Sequence, residues 1–167
     1  MEGLKKFRRI IDKFLEIVCE FLFGAMVVIC TYQVVVRYFF NSPSTVSEEL
    51  LTYTFTWMAL FASTLVFGKR DHMRMGFIAD KLTGTKRMIL EVAIEFLVFA
   101  FTFVILVYGG TSITKLAFAQ VTASLGIPMG AVYLVIPICG VIILIYNILN
   151  VIDIIRAKGV MPDPTEE

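Results

Sequence analysis

Apolar residues run almost unbroken through four stretches of the chain, about 15–40, 47–68, 87–115 and 128–155, and polar residues collect between them. A helix rises about 1.5 Å per residue, so each stretch is long enough to cross a hydrocarbon core of about 30 Å. The pattern predicts an all-α integral membrane protein with four spanning helices, a single membrane domain over 1–167. Ahead of the first span, residues 3–14 carry Leu4, Phe7, Ile11 and Phe14 at helical spacing among Lys5, Lys6, Arg8, Arg9 and Lys13. That predicts a short interfacial amphipathic helix on an anionic leaflet, compatible with a basic flank that orients the span behind it. A basic stretch before an apolar run also resembles a signal peptide. This run outlasts a signal core and no A-x-A-like site closes it, which predicts an uncleaved helix.

The first turn back falls within residues 37–57, RYFFNSPSTVSEELLTYTFTW. Asn41-Ser42-Pro43-Ser44 ends one helix, and Thr45 with Glu48 three residues on has capping-box spacing. Glu48 and Glu49 fall in the first turn, where the positive end of the helix dipole favours them. Arg37, with Tyr38 beside it, reaches the same end of the hairpin from the other side. Either these charges form a surface ion pair, worth about 0–1 kcal/mol, or, shielded by lipid and by Tyr38 and Tyr53, they fix the hairpin or meet a partner protein. Trp57 lies two turns inside Glu49, deeper than a belt residue sits, which predicts burial against another helix.

Residues 68–87, GKRDHMRMGFIADKLTGTKR, form the one sizeable polar segment, and Met75, Phe77, Ile78 and Leu82 are spaced so that part of it lies parallel to the membrane. On the third span Glu91 and Glu95 stand one turn apart, and Gly109 and Gly110 are expected to loosen its far end. Residues 116–152 contain no charge; as one straight helix they would be roughly 55 Å long, so the chain must break there. SLGIP at 124–128 is the obvious place, with Pro128 at or near the first turn of the fourth span and Pro137 kinking it. A polar tail, 156–167, follows.

Composition sharpens this picture. Hydrophobic residues make up 58% and charged residues 17% of the chain, with a mean hydropathy of +0.83, more apolar surface than a water-soluble chain of this size can bury. Five basic residues precede the first span, six lie between the second and third (Lys69, Arg70, Arg74, Lys81, Lys86, Arg87) and two follow the fourth (Arg156, Lys158), against Arg37 and Lys115 on the opposite side. By the positive-inside rule both termini are cytoplasmic, and 41–47 and 115–128 face outward. No internal repeat suggests an inverted-repeat transporter built from this chain alone.

Chemistry is hard to assemble from these residues. His72 stands beside Asp71 with no serine or cysteine to join it, and zinc, hydrolase and phosphate-cradling motifs are absent. Cys19, Cys30 and Cys139 sit inside apolar runs, without the paired loop thiols of a disulfide enzyme. Glu20, Glu91 and Glu95 are the carboxylates closest to being intramembrane; all map to the cytoplasmic ends of their helices, within reach of Lys13, Lys86 or Arg87, which favours interfacial pairing over an ion site. No enzyme and no resident cofactor or metal is expected.

The wording of the chain then matters. VVVRYFFNSPSTVSEELLTYTFTWMALFAS, then GKRDHMRMGFIAD, then SLGIPMGAVYLVIPI resemble the small membrane subunit of tripartite ATP-independent periplasmic (TRAP) transporters, the DctQ-like family. The resemblance rests on Arg37-Tyr38, Glu48-Glu49, Trp57, His72, Asp80, Ile127-Pro128-Met129 and Pro137 in order; after the histidine the chain departs from the family with Met73-Arg74-Met75-Gly76. It implies a subunit of a bacterial inner-membrane, sodium-coupled transporter of organic acids such as dicarboxylates, keto acids or sialic acid. In that family a large membrane subunit carries the substrate and sodium sites and a periplasmic protein delivers the solute, while the small subunit is a scaffold. The competing expectations are an autonomous proton-coupled antiporter, which needs a carboxylate near mid-membrane, and a quinone or haem anchor.

Overall fold

The computed structural model describes residues 2–69 and 85–156. His72, Asp80, the expected membrane-parallel loop and the polar tail beyond Arg156 lie outside the described residues.

Helix α1 is Glu2–Phe39, 38 residues without interruption. The stretch expected as a separate interfacial helix is continuous with the first span, because nothing between Phe14 and Ile17 interrupts helical hydrogen bonding. At about 1.5 Å per residue, α1 is roughly 57 Å long, so it extends well past a hydrocarbon core of about 30 Å. It ends at Phe39, and Asn41, with φ of 52°, takes the left-handed turn that asparagine tolerates.

Helix α2, Thr45–Gly68, starts one residue earlier than its capping-box spacing predicted. Ser44 is the N-cap: its Oγ accepts from the Ser47 amide at 3.4 Å, and Ser47 Oγ donates to Ser44 O at 2.9 Å. Thr45 is the first helical residue, so the reciprocal pair is Ser44 with Ser47. Within α2 the hydroxyls of Thr52, Thr54, Thr56 and Thr64 donate to carbonyls four residues back, which satisfies them without water.

The third span is not one regular helix. It runs as α3, Thr85–Phe101, a π-helical segment, Thr102–Gly109, and α4, Gly110–Ala117. The π segment packs against the fourth span. Gly110, expected to loosen the helix, instead allows a close approach: a Cβ there would stand 2.9 Å from Ile136 Cγ2 and 3.3 Å from the Pro137 nitrogen. Helix contact, not flexibility, explains the glycine.

After Ala117 the chain makes the expected break, as a compact loop over 118–128. Val121 and Pro128 form an isolated antiparallel bridge, held by Thr122 N to Ile127 O and Met129 N to Gln120 O, both 2.9 Å. Gly126, at φ 68°, supplies the backbone conformation that a side chain would resist. Pro128 is the N-cap of α5, Met129–Tyr133, one place outside the helix. The helix is interrupted one turn before Pro137, where a kink was expected: Leu134 is a turn residue ahead of α6, Val135–Arg156. The displacement follows from the ring: proline disturbs the carbonyl four residues before it, here Tyr133.

In order across the bundle stand the first, second, fourth and third spans. The fourth is the central one. Its Val135, Cys139 and Tyr146 join Leu15 of α1 and Phe61 of α2 in the core. The windows that mark the other three spans are only 6 to 11% buried, against 44% for the fourth, so the peripheral helices present most of their apolar side chains to lipid or to another protein.

Candidate functional site

The polar groups of the bundle gather at its two ends. At the hairpin end, Glu49 projects from the first turn of α2 toward the loop over 118–128. Its Oε2 accepts from the amides of Ser124 at 2.8 Å and Leu125 at 3.0 Å, and its Oε1 accepts from Tyr53 Oη at 2.6 Å. One carboxylate thus captures two consecutive backbone donors and a phenol, the charge-assisted geometry that makes hydrogen bonds strong. Tyr53 Oη also approaches Met129 Sδ at 3.5 Å.

Glu48 and Glu49 therefore do different things. Glu48 is exposed, and among the described residues neither it nor Glu49 forms an ion pair with Arg37. The hairpin is fixed to the loop over 118–128 by Glu49 alone of the two. Beside it Tyr38, Phe39 and Phe40 are exposed, Tyr38 by 76%.

One layer deeper, the fourth-span kink is tied to both neighbours. Trp57 Nε1 donates to Val132 O at 2.9 Å, and its ring meets Phe61 edge-on at 6.2 Å; the indole faces the bundle, not a headgroup layer. Thr114 Oγ1, buried on α4, stands 2.7 Å from Gly110 O and 3.3 Å from Tyr133 O. Tyr133 O is the acceptor that the amide-less Pro137 cannot serve. Pro128 and Pro137 thus bracket a region whose free carbonyls receive donors from the second and third spans.

At the opposite, terminal end, α1 is bound to the fourth span. Arg8 Nη1 lies 3.3 Å from Asp153 Oδ2, Arg8 Nη2 donates to Asn150 Oδ1, and Tyr146 Oη donates to Asp12 Oδ1. Lys69 at the end of α2 pairs with Glu16 at 2.6 Å. Asn147, buried in the fourth span, donates to Glu95 Oε2 at 2.6 Å and Glu95 O at 2.9 Å. Glu95 thus has an amide partner that the sequence did not suggest, and the Lys86 and Arg87 side chains expected near it lie outside the described residues. Glu20 is exposed and forms no ion pair with a described residue, and the Glu91 side chain lies outside the described residues.

Sequence reasoning passed over Arg8, Asp12, Thr114, Tyr146, Asn147 and Asn150. Asn147 and Asn150, three residues apart inside an apolar helix, were a usable signal, since amides in a span seek partners. The search for acids, bases and ligands did not weigh them. Among the described residues no three histidine, cysteine or carboxylate side chains converge. Among the described residues, Arg8 Nε is the one buried side-chain nitrogen or oxygen left without a partner. The polar groups join helices to helices and loop to hairpin.

Fold and polar sites together define a multi-pass membrane protein whose four helices are mutually braced and whose outer faces are apolar. The family model for the DctQ component of tripartite ATP-independent periplasmic transporters matches residues 26–157. The chain belongs to that family, and is a small permease subunit, not an enzyme. It is 28% identical over 153 residues to the sialic acid TRAP transporter small permease protein SiaQ of Vibrio cholerae, covering 92% of this chain and 88% of that protein. It is 26% identical over 140 residues to a putative TRAP transporter small permease protein of Haemophilus influenzae, covering 84% and 86%.

Proposed function

We propose that this chain is the scaffold subunit of a sodium-coupled organic-acid importer in a bacterial inner membrane, with both termini in the cytoplasm. It braces a large membrane subunit that holds the substrate and sodium sites, while a periplasmic binding protein delivers the solute to the outward face. The observation that carries this reading is where the polar groups go: the carboxylates and amides inside the bundle are spent on contacts between its own helices, as with Asn147 on Glu95 and Arg8 on Asp153. A transport pathway needs polar groups turned toward a solute. The thirteen-to-two distribution of basic residues supports the orientation. The name of the Vibrio cholerae relative makes sialic acid the first solute to try, and dicarboxylates and keto acids the next.

The platform at the hairpin end, Tyr38, Glu48, Glu49 and the loop over 118–128, is the surface we assign to the outward partners. Trp57, Pro128 and Pro137 hold its foundations. The test is copurification of an untagged large membrane subunit with the tagged chain, followed by solute uptake in proteoliposomes with the binding protein outside and a sodium gradient. Sodium-dependent uptake by the assembled system is expected. Failure of any large subunit to accompany the chain would contradict the reading.

A further inference from the structure

Between the first and second spans, in the half of the bundle nearer the hairpin, lies an open groove of about 500 Å³. Met26, Cys30 and Thr31 line it from α1, and Leu51, Thr52 and Phe55 from α2. The two hydroxyls are turned away from it onto their own helices, Thr31 Oγ1 to Val27 O at 2.8 Å and Thr52 Oγ1 to Glu48 O at 3.0 Å. The lining is therefore almost wholly apolar. It suits a hydrocarbon chain.

The rim is different. Arg37 follows Cys30 by seven residues and so continues its stripe on α1 two turns higher, while Glu48 precedes Thr52 by four and Phe55 by seven on the facing stripe of α2. Both charges lie within about a turn of their helix ends, at one level, roughly 6 to 9 Å beyond Thr52 and Thr31 along the axes. That is about the reach of a glycerol phosphate above an acyl chain. Both side chains are exposed, and among the described residues they form no ion pair with each other. Helical register thus places one guanidinium and one carboxylate beyond the hairpin end of a groove suited to an alkyl chain.

We propose that this groove binds a zwitterionic aminophospholipid, of phosphatidylethanolamine chemistry. One acyl chain lies along Cys30 and Phe55, the phosphate is held by Arg37, and the primary ammonium is held by Glu48. An anionic lipid without an amine satisfies Arg37 but leaves Glu48 facing its phosphate, a like-charge contact. The inference requires only that the chain spans a bilayer, and so stands apart from the choice of solute.

The full chain, purified in mild detergent with whatever subunits accompany it, is equilibrated with palmitoyl-oleoyl phosphatidylethanolamine or phosphatidylglycerol and read by native mass spectrometry. Retention of the ethanolamine lipid is expected to exceed that of the glycerol lipid roughly tenfold, the worth of one charge-assisted hydrogen bond. Glu48→Gln should erase the preference, Arg37→Gln should weaken retention of both lipids, and Leu51→Trp, which fills the groove, should abolish it. Phe21→Trp, on the opposite face of α1, should change nothing. Without any substitution, maleimide labelling of Cys30 should be slower in ethanolamine-lipid than in glycerol-lipid vesicles. Equal retention of the two lipids, retention that survives Leu51→Trp, or a Cys30 cross-link to a second polypeptide seated in the groove would each overturn the proposal.

Discussion

Thr114 on the third span stands 3.3 Å from the carbonyl oxygen of Tyr133 on the fourth, the acceptor that Pro137 leaves without its helical donor. The threonine proton is shared with Gly110 O at 2.7 Å. The kink and the neighbouring helix are thus two halves of one contact. Thr114→Val is expected to lower stability in detergent by about 0.5–1.5 kcal/mol, the range for an interhelical hydrogen bond in a membrane protein. In a Pro137→Ala background, where the backbone donor returns, the same substitution should cost less. Denaturation of the four variants gives the coupling directly, and equal costs in both backgrounds would show that Thr114 serves only its own helix.

Trp57 serves the other free carbonyl of the kink, Val132 O at 2.9 Å. Trp57→Phe keeps much of the packing against Phe61 and loses the donor, so a stability loss of about 1–2 kcal/mol is expected. Trp57 is the only tryptophan in the chain, which makes its emission a local reporter in the parent protein. A blue-shifted maximum, poorly quenched by acrylamide, is the expected result for an indole inside the bundle.

Glu49 and Glu48, adjacent in sequence, should respond differently to the same change. Glu49→Gln removes the charge that holds Ser124 N and Leu125 N, and hydrogen exchange at those amides should rise by roughly tenfold or more, since each such bond is worth about 1.5–3 kcal/mol. Glu48→Gln should leave loop exchange unchanged. Reversing both charges, Glu48→Lys with Glu49→Lys, should weaken assembly of the transporter or solute uptake; full uptake by an intact complex would contradict the role assigned to the platform.

Arg8 anchors the start of α1 to the end of the fourth span through Asp153 and Asn150. Both members of the ion pair keep partial access to solvent, so its contribution is modest, about 1 kcal/mol for Arg8→Ala. The consequence for conformation is larger: without this anchor, the residues ahead of the Asp12–Tyr146 contact are free to settle onto the membrane surface as an amphipathic turn. A spin label at Lys6 should move closer to the headgroup layer in Arg8→Ala than in the parent chain. An unchanged depth would mean that helix continuity alone sets the direction of this segment.

Much of the architecture was legible because lipid imposes few solutions. Four apolar runs meant four helices, the uncharged stretch over 116–152 exceeded the membrane and had to turn, and Trp57 was too deep for a belt. What stayed hidden depended on contacts distant in sequence or on backbone register. Glu49 could not be assigned to Ser124 and Leu125, 75 and 76 residues away, before the two hairpins were known to be adjacent. The π segment, Thr102–Gly109, carries no residue that forbids an α-helix. The continuity of α1 was missed because a basic amphipathic stretch suits the membrane surface and a projecting helix equally, and the choice is made by Arg8, Asp12 and Leu15 docking on the fourth span. Asn147 was visible and undervalued, and its contact with Glu95 could not be assigned before the third and fourth spans were known to be adjacent.

The central claim is that the solute moves through a neighbouring subunit and that this chain holds that neighbour in place. Its most direct measurement is uptake of radiolabelled sialic acid, a dicarboxylate and a keto acid, with cation flux under a pH gradient, in liposomes containing this chain alone and in liposomes containing it with the large subunit, the binding protein and a sodium gradient. The account predicts leak-level flux from the chain alone and sodium-dependent uptake of an organic acid by the assembled system. Saturable transport of any of these solutes, or of a cation, by the isolated chain would contradict it.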